Sequence, residues 1–453
     1  MLFNTKEFDF QGIFYKDIHL SCKDFKKAVF SLADYIKRNI SEKSSPFIYL
    51  VADNHPKTII AYFSILHAGF SCVIIDPDWK TLEWNYIRSD TPPSAIIRIV
   101  QETSIYDFSK DILFLPDAPP HSFDEKRGYT IVYTAAEDGY PKGALLSQHN
   151  LMTDAYSKNI ASQANHDDIV CALLPLSHLY GLTMGVIAPI LSHSGILVEN
   201  VKNINALESI MDDLKEHSVS YFYTIPVLIF LLGNIPDVKN KLKSLKVVAT
   251  GGYKLPETVF TNFKRKFDLE ILEGYGLTEA SPVCSWHAPG DKIKIDSVGK
   301  PFSCCQFKVV DDKDNLLSIN EIGELCVKGE NVFEGYYRKP EFTKTIIKDG
   351  WLHTSDKGKI DRDGYIYITG LLKDMVHVGG RNVYPKELKR LLLLHGNIKS
   401  IDLSYTDSPL TGTKISAMIS MKRNTPDLQS EFMKWCIQNI SAYKLPKIWT
   451  FTD

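Results

Sequence analysis

The chain repeats one hydrophobic pattern, in which a short apolar run precedes a segment of helical spacing and a second apolar run follows. Pro46–Ala52 has the composition of a buried strand, and the apolar residues of Lys57–Leu66 recur at the spacing of one helix face. Phe70–Asp76 is the next apolar run, and Gly69 precedes it. Strand, helix and strand in this order predict a right-handed crossover in a parallel sheet.

The alternation continues further along the chain. Apolar strands are predicted within Cys171–Leu176, Tyr221–Pro226 and Leu245–Gly252, and helical segments or glycines follow them. This predicts a doubly wound α/β domain, whose ligands bind beyond the carboxyl ends of the strands. In Gly323–Thr343, short alternating runs end at glycines, which predicts a small β-rich part.

Composition limits the class of protein. With 453 residues and 44% hydrophobic content, the chain can bury a large core and should form more than one domain. Lys and Arg number 52 against 54 Asp and Glu, so no basic field favours nucleic acid, and we expect a small-molecule partner. The longest apolar run, Tyr221–Leu232, contains Pro226 and is too short for a membrane span. The N-terminus lacks a signal-peptide pattern, so we expect a soluble cytoplasmic protein.

The eight cysteines have no paired C-x-x-C spacing, and several lie in apolar runs typical of strands. This pattern favours reduced core thiols over metal ligands.

Three motifs follow predicted strands: PLSHLYGL at Pro175–Leu182, GGYKLP at Gly251–Pro256 and ILEGYGLTEAS at Ile271–Ser281. Glycines let the backbone approach a ligand closely. In the third motif, an aromatic residue beside a glycine can stack on a purine. A hydroxyl followed by a carboxylate can contact a phosphate and a magnesium ion. Together the motifs indicate a nucleotide site.

Further motifs flank these. IVYTAAEDGYPKGALLSQHN spans Ile131–Asn150, DGWLHTSDKGKIDRDGYIYITG spans Asp349–Gly370, and GLLKDMVHVGGRNVYPKELKRLL spans Gly370–Leu392. In content and order, all of these motifs resemble the signatures of the adenylate-forming, AMP-binding superfamily. That superfamily includes acyl- and aryl-CoA ligases, peptide-synthetase adenylation domains and luciferases, and the match is nearest to the CoA ligases.

The resemblance implies an α/β fold of two domains. A large N-terminal domain, residues 1–372, would contain doubly wound sheets and a small β-barrel-like part. A small α+β lid, residues 373–453, would rotate about the junction at Lys373, as hinge loops permit.

The resemblance also implies roles for individual residues. The predicted nucleotide-binding residues are Thr134, Gly139, Lys142, Gly143, Gly251, Gly252, Tyr253, Glu273, Gly274, Tyr275, Thr278 and Asp356. The predicted catalytic residues are His178, Thr278, Glu279 and Lys373. Tyr275 would lie beside adenine, Asp356 would bind the ribose, and Glu279 would hold the metal ion. Gly379 and Gly380 would line the tunnel for the thiol.

The chain departs from the family pattern in its phosphate loop. Ala135, Ala136, Glu137 and Asp138 stand where the family has Ser-Gly-Thr-Thr. At an effective dielectric constant of ~20 and a separation near 5 Å, each carboxylate beside a phosphate costs about 3 kcal/mol. Two ways of holding the phosphates remain open: a bridging magnesium ion, or acids that face solvent while Thr134, Lys142 and backbone amides bind.

Three other departures concern the lid and the junction before it. Leu371 stands where the family has an arginine that contacts the ribose, and His377 stands where CoA ligases commonly have a lysine. The sequence ends at Asp453, before the loop on which the resemblance places a final catalytic lysine. Either the coding sequence ends there or the chain has been cut.

The chemistry that the resemblance implies has two steps. A carboxylate, here expected to be a fatty or aromatic acid, attacks ATP to give acyl-AMP and pyrophosphate. The thiol of CoA, or the phosphopantetheine of an acyl carrier protein, then displaces AMP. The expected cofactors are ATP or AMP, Mg²⁺ and the thiol, and oligomeric state is not predicted.

Three functions stay open. The first is a working ligase that performs both steps. The second is a degenerate relative that performs only the acyl-AMP to thioester step. The third is a non-catalytic protein that binds AMP or an acyl ligand.

Overall fold

A computed structural model describes residues 9–41, 44–100, 104–115, 128–135, 138–201, 206–233, 235, 238–371, 375–408 and 412–452. The fold is α/β, as predicted, with four sheets among these residues. The chain divides into two compact units. The first unit comprises Met1–Pro77, Pro93–Val132 and Gly143–Gly370, and the second comprises Asp78–Pro92, Tyr133–Lys142 and Leu371–Asp453. The predicted domain boundary falls at Lys373, which lies outside the described residues and stays a prediction.

A seven-stranded sheet contains the predicted crossover. Phe47–Val51 and Ser71–Ile75 pair in parallel, and helix Pro56–His67 connects them. Gly69 has a φ of 86°, which suits glycine in the turn before the second strand. The strand order is Gly335–Tyr336, Lys142–Leu146, Thr130–Thr134, Ser71–Ile75, Phe47–Val51, Ala95–Arg98 and Ile112–Phe114.

A nine-stranded sheet carries three of the predicted motifs at its strand ends. Its central strands pair in parallel, beginning with the strand that contains Ile196 and ending with the strand that contains Ile271. The strand order is Lys300–Pro301, Ser285–Trp286, Ile271–Tyr275, Val247–Thr250, Tyr221–Thr224, Ile169–Ala172, Gly195–Val198, Ile13–Tyr15 and Ile18–Leu20.

The small β-rich part is an antiparallel five-stranded sheet. Its strands are Cys305–Val310, Gly323–Gly329, Ile347–Lys348, Trp351–Ile360 and Ile366–Leu371. One prediction needs correction here. Gly335–Tyr336, which the alternating pattern placed in this part, instead pairs antiparallel with Lys142–Leu146 of the seven-stranded sheet. A two-residue strand carries too little pattern to identify its partner.

In its described residues, the second unit contains another five-stranded sheet and three helices. Its sheet consists of Val376–Val378, Arg381–Val383, Ile398–Ser408, Gly412–Met421 and Ile448–Thr452. Its helices are Thr81–Asp90, Pro385–Leu393 and Pro426–Asn439. Apolar residues from this sheet and from the two later helices form one core, with Leu82 of the first helix packed against it.

The remaining helices belong to the first unit. Helix Cys22–Asn39 begins after Ser21, whose hydroxyl accepts the Asp24 amide hydrogen, as an N-cap does. The α-helices are Cys22–Asn39, Pro56–His67, Gln148–Ser162, Leu179–Leu182, Ala188–Leu191, Ala206–Glu216, Pro226–Leu232, Val238–Lys241, Glu257–Phe267 and Pro340–Ile346, with a π-helical turn at Thr183–Ile187. Among the helices that the structure describes, none has the length and apolar character needed to cross a bilayer.

Candidate active site

Three motifs of the first unit meet at the carboxyl ends of parallel strands. Strand Val247–Thr250 leads into Gly251, and a Cβ added there would lie 3.4 Å from the Gly274 carbonyl oxygen and 3.7 Å from the Tyr180 ring. Gly252 has a φ of 89°, which favours glycine. GGYKLP, YGLTE and PLSHLYGL therefore surround one place, where ligands bind in sheets of this type.

Asn54 fixes the course of PLSHLYGL. Its Oδ1 accepts the Leu176 amide hydrogen at 2.9 Å. Its Nδ2 lies 2.8–3.4 Å from the carbonyl oxygens of Ala172, Leu173, Leu174 and Glu199. The side chain is buried, so losing these bonds would leave backbone groups without partners. Sequence reasoning missed Asn54, although a polar residue directly after a buried strand is a signal for such a role.

His178 begins the short helix Leu179–Leu182. Its Nδ1 accepts the Tyr180 amide hydrogen at 3.2 Å, and the residue is exposed. The preceding Ser177 donates a hydrogen bond to Asp76 at 3.3 Å. A Cβ at Gly181 would lie 2.3 Å from the Pro175 carbonyl oxygen, so the motif requires glycine there. The catalytic role of His178 stays a prediction.

Tyr253 occupies a position where the family commonly has a small residue. Its hydroxyl accepts the Val227 amide hydrogen at 2.8 Å, at the start of helix Pro226–Leu232. Burial raises the pKa of Tyr253 to about 12. The side chain therefore extends from the glycine loop to the segment after strand Tyr221–Thr224 and joins the two by this hydrogen bond.

Glu273 holds the glycine loop from the neighbouring strand. Its Oε1 accepts the Leu255 amide hydrogen at 3.1 Å. Burial raises the pKa of Glu273 to about 7, although the Leu255 amide and Lys254 oppose the shift. The contact gives Glu273 a positioning role, and its predicted contact with nucleotide stays a prediction.

We expect Glu273→Gln to change the pH dependence of stability. The pKa of Glu273 is raised in the folded state, so the wild type loses stability as the pH rises from the unfolded value of about 4.3 towards about 7. Glutamine retains an oxygen for the Leu255 amide and has no charge. The variant should therefore gain about 1–2 kcal/mol over the wild type at pH 8 and little at pH 4.

Thermal melting across this pH range would measure the gain. Glu270→Gln is the control, because Glu270 is exposed and pairs with Lys264 at 2.7 Å. An equal shift at pH 4 and pH 8 would contradict the prediction.

Tyr275 and Asp356, predicted to contact adenine and ribose, lie together. The Tyr275 hydroxyl donates to Asp356 Oδ2 at 2.5 Å. Burial and then the charge of Asp356 raise the pKa of Tyr275 well above its ordinary value. The Asp356 amide donates to Thr354 Oγ1 at 3.0 Å, which sets the turn that carries the carboxylate. Two residues more than 80 positions apart thus converge, and their contacts with adenine and ribose stay predictions.

Ser355 replaces the family glycine before Asp356. It has a φ of 59°, in the region where a side chain costs roughly 1–2 kcal/mol. Its amide donates to Glu324 Oε1 at 2.8 Å, which holds the turn in place. The strand pairing shifts register here, because Glu324 pairs with Lys357 whereas Cys326 pairs with His353. The bulge pushes Asp356 out of the regular ladder.

The YGLTE motif turns sharply at its glycine. A Cβ at Gly276 would lie 1.8 Å from the Pro282 carbonyl oxygen, a separation that no side chain can adopt. Thr278 begins the 3₁₀ turn Thr278–Ala280. Asn331 is buried and donates to the Ala280 carbonyl oxygen at 3.0 Å, which holds the end of the turn.

Glu279, the predicted metal ligand, is half-buried beside this turn. Its Oε1 accepts the Tyr336 hydroxyl hydrogen at 2.6 Å, which fixes the carboxylate. The hydroxyl of Thr278 and the carboxylate of Glu279 are hard oxygen donors of the kind that Mg²⁺ prefers, so these residues fit the ion. Tyr336 lies in the segment Gly323–Thr343, but sequence reasoning gave it no role.

In the second unit, the loop predicted to bind phosphates contains an internal ion pair. Lys142 Nζ lies 2.6 Å from Asp138 Oδ1, and the exposed fractions of the two side chains are 2% and 51%. Burial opposes the effect, but the bond to Lys142 and the Tyr140 amide lower the pKa of Asp138. The Gly139 carbonyl oxygen accepts from Arg390 at 2.9 Å, and the guanidinium lies 4.4 Å from the centre of the Tyr140 ring. Glu137 lies outside the described residues.

Gly379 and Gly380, predicted to line the thiol tunnel, form the turn between two strands of the second unit. Gly379 and Gly380 have φ values of 58° and 82° and connect strands whose Val378 and Arg381 pair. This is a tight hairpin turn, which requires positive φ at both positions. A Cβ at Gly379 would have no atom within 4 Å, so conformation, not space, requires glycine. Whether the turn lines a thiol tunnel stays a prediction.

Thr134, a predicted nucleotide-binding residue, is the last residue of strand Thr130–Thr134.

Lys444, close to the expected final motif, has a buried structural role. Its Nζ lies 2.7 Å from Glu387 Oε1 and 3.4 Å from Glu83 Oε1, and all three side chains are at most 4% exposed. Burial alone would lower the pKa of Lys444, but Tyr443, Glu387 and Glu83 raise it above its ordinary value. The Ser441 hydroxyl donates to Glu83 Oε1 at 2.8 Å. Lys447, by contrast, is exposed.

Comparison with known proteins places the chain among enzymes of one family. The AMP-binding enzyme family matches residues 5–337, which is most of the chain. A long-chain-fatty-acid–CoA ligase of Salmonella typhimurium is 28% identical over 473 residues, which cover 92% of this chain and 84% of that protein. The 4-coumarate–CoA ligase 3 of Oryza sativa is 31% identical over 333 residues, which cover 71% of this chain and 60% of that protein.

Solved structures share the fold. A malonyl-CoA ligase with methylmalonyl-CoA and AMP bound has a TM-score of 0.83 at 20% identity, covering 99% of this chain and 97% of that one. An amide bond synthetase from Marinactinospora thermotolerans has a TM-score of 0.84 at 17% identity, covering 98% and 94%. The chain therefore belongs to the AMP-binding enzyme family, and its relatives include acyl-CoA ligases.

Proposed function

We propose that this chain is an AMP-forming acid–thiol ligase that activates a fatty or aromatic carboxylic acid as its acyl-adenylate and transfers the acyl group to the thiol of CoA or of an acyl carrier protein. The observation that carries the proposal is the 2.5 Å contact between Tyr275 and Asp356 at the strand ends. Relatives that ligate long-chain fatty acids and 4-coumarate to CoA support the substrate class.

In this proposal the adenylate end of the site is built from the first unit. Tyr275 would stack on adenine, Asp356 would accept hydrogen bonds from the ribose hydroxyls, and Thr278 would contact the α-phosphate. Glu279 would hold Mg²⁺, which when bound would offset the negative charge of the phosphates. The backbone at Gly143, Gly251, Gly252 and Gly274 would allow close approach of the nucleotide.

The acid would bind beside the glycine loop. Tyr180 and Tyr223 stack edge to face with ring centroids 6.3 Å apart, and the Tyr253 hydroxyl accepts the Val227 amide hydrogen. Three aromatic rings supply apolar surface, which suits an alkyl or aryl group. His178 would lie between this surface and the nucleotide, and Lys373, Gly379 and Gly380 would serve the lid and the thiol.

ATP–pyrophosphate exchange across a panel of fatty and aromatic acids tests the proposal. Acid-dependent exchange, followed by AMP release when CoA is added, is the expected result. Exchange that no acid supports, together with no AMP release, would contradict it.

A second candidate function is the thioester step alone, from a ready-made acyl-adenylate. The observation that favours it is the Asp138–Lys142 pair, because a loop carboxylate already neutralises the cation that would otherwise face the phosphates. An acyl-adenylate has no β- or γ-phosphate, so this substrate avoids the acidic loop. Synthetic acyl-AMP with CoA would then release AMP, while ATP with the acid would give nothing. Binding of adenylate without turnover in either assay would identify a non-catalytic protein.

We expect Asp138→Asn to strengthen ATP binding. The change removes a negative charge near the expected phosphates and the ion pair that Asp138 makes with Lys142. A like-charge pair at about 5 Å costs about 3 kcal/mol at an effective dielectric constant of ~20, but half-exposed Asp138 is screened, so we expect about a tenfold lower Kd. Titration calorimetry with ATP and Mg²⁺ would measure this.

Asp167→Asn is the matched control, because that carboxylate is 92% exposed and lies outside the loop. Binding of AMP should not change in either variant. Weaker ATP binding by Asp138→Asn would mean that Asp138 holds magnesium or positions Lys142, and would contradict the prediction.

A further inference from the structure

Three potential metal ligands converge on one face of the small five-stranded sheet. Cys326 of strand Gly323–Gly329 pairs directly with His353 of strand Trp351–Ile360. Glu324 lies two positions before Cys326 and therefore points to the same face. One ligand atom from each of these residues lies within 4.8 Å of the others. The sheet register thus assembles sulfur, nitrogen and oxygen donors.

His353 Nδ1 is the centre of this group. It lies 3.6 Å from Cys326 Sγ and 2.8 Å from Glu324 Oε2. A fourth donor, Asp314 Oδ1, lies 3.8 Å from the same nitrogen. Asp314 reaches this position from a turn in which its own φ is 65°.

We propose that Cys326, His353, Glu324 and Asp314 form a binding site for a divalent cation of the Zn²⁺ class. In tetrahedral Zn²⁺ sites, ligand bonds of about 2.0–2.3 Å place sulfur and nitrogen about 3.6 Å apart, and nitrogen and oxygen about 3.3 Å apart. The separations found here, 3.6, 2.8 and 3.8 Å, lie on both sides of those values. Binding requires Glu324 to withdraw, and Asp314 to approach, by about half an ångström each.

The surroundings orient the donors as metal sites require. Glu324 uses its other oxygen, Oε1, to accept the Ser355 amide hydrogen at 2.8 Å. Asp314 uses its other oxygen, Oδ2, to accept from Lys348 at 2.9 Å. Each carboxylate therefore has one oxygen held by an outer partner and the other turned towards His353. Partners of this kind fix ligand orientation and tune affinity.

Access and charge also suit a cation. Cys326 is fully buried and His353 is 7% exposed, whereas Asp314 is 48% exposed, so the site opens to solvent on the Asp314 side. Burial and then Glu324 raise the pKa of the Cys326 thiol to about 12, while Lys308 and Lys348 oppose the shift. A bound cation would displace the thiol proton, because the thiolate is the ligand form. Three negative donors would then outweigh the one ammonium group that contacts Asp314.

The site would act on the turn that carries Asp356. His353 immediately precedes Thr354–Asp356, and Glu324 already holds the Ser355 amide. A cation that joins the two strands at this bulge would make the turn more rigid. The ion would thus have a structural role, separate from the Mg²⁺ expected at Glu279.

The test uses the full chain after removal of metals with a chelator. Titration with Co²⁺ should give one equivalent per chain and the absorption of a thiolate–cobalt bond, and Zn²⁺ should remove that absorption. Cys326→Ser should lose it. Cys436→Ser is the matched control, because Cys436 is also buried and burial likewise raises its pKa to about 12.

Asp314→Asn is a second test that does not depend on the folding of the buried variant Cys326→Ser, since Asp314 is half exposed. It should fold like the wild type and bind Co²⁺ about 10–100-fold more weakly. Uptake well below one equivalent by the wild type, or thiolate absorption that is equally strong in Cys326→Ser, would overturn the proposal and leave a simple Glu–His hydrogen bond beside a buried thiol.

Discussion

Replacement of Lys444 by methionine is expected to lower the free energy of unfolding of the second unit by about 3–5 kcal/mol, because it leaves two buried carboxylates without their cation. Lys444 lies 2.7 Å from Glu387 and 3.4 Å from Glu83. Glu387 Oε2 is also buried and, among the described residues, has no hydrogen-bond partner. The unfolding transition, followed by tryptophan fluorescence, should therefore shift to a much lower denaturant concentration.

Lys447→Met is the control for this change, because that lysine is exposed three positions further on. The triple variant with Glu83→Gln and Glu387→Gln should recover much of the loss, since it removes the uncompensated charges. A single variant as stable as the wild type would show that the buried ion pairs contribute nothing.

The pH dependence of this loss of stability depends on two kinds of titratable group, the lysine and the buried carboxyls. The pKa of Lys444 is raised in the folded state, so its contribution is present below the unfolded value of about 10.4 and is lost only as the pH rises through the raised value. The deficit of Lys444→Met should therefore be constant near neutral pH. It should shrink towards pH 5, because the carboxyls left in a buried site become protonated.

The second large effect is expected for Gly276→Ala, which should weaken binding of a non-hydrolysable acyl-adenylate analogue by about 100-fold. A Cβ at this position would lie 1.8 Å from the Pro282 carbonyl oxygen and 2.7 Å from the Val283 Cα. These are backbone atoms, so the turn itself must move. Tyr275 precedes this glycine and Thr278 follows it, and a displacement of about 1 Å in a binding site can cost 100-fold.

Calorimetry with the analogue would measure the loss, and circular dichroism would establish that the variant is folded. Gly370→Ala serves as the control, because a Cβ there meets no atom within 4 Å. Affinity within about threefold of the wild type would show that the YGLTE turn does not hold the adenylate.

The fold could be predicted where hydrophobic periodicity was strong. The run of five buried residues in Phe47–Val51 and the helix after it define a crossover without reference to any distant residue. Gly335–Tyr336 could not be assigned, because two residues have no period and their pairing with Lys142–Leu146 is a long-range contact.

For the candidate site, the sequence could predict only the motifs, and the roles of their residues stay predictions. YGLTE and TSD each carry local chemistry, and the structure brings Tyr275 and Asp356 into contact. Partners such as Glu83 for Lys444 and Tyr336 for Glu279 lie far away in sequence, so no local pattern reveals them. The Asp138–Lys142 pair is local, but the sequence did not show whether the carboxylate would face the lysine or solvent.

The position of Asn54 has a consequence for protein engineering. One carboxamide, more than 100 residues upstream of PLSHLYGL, binds both the amide and the carbonyl groups of the segment that leads into that motif. The geometry of the motif therefore depends on a residue outside it. A chimera that exchanges PLSHLYGL between family members should keep its geometry only if the donor and the recipient both have an asparagine after the strand equivalent to Phe47–Val51.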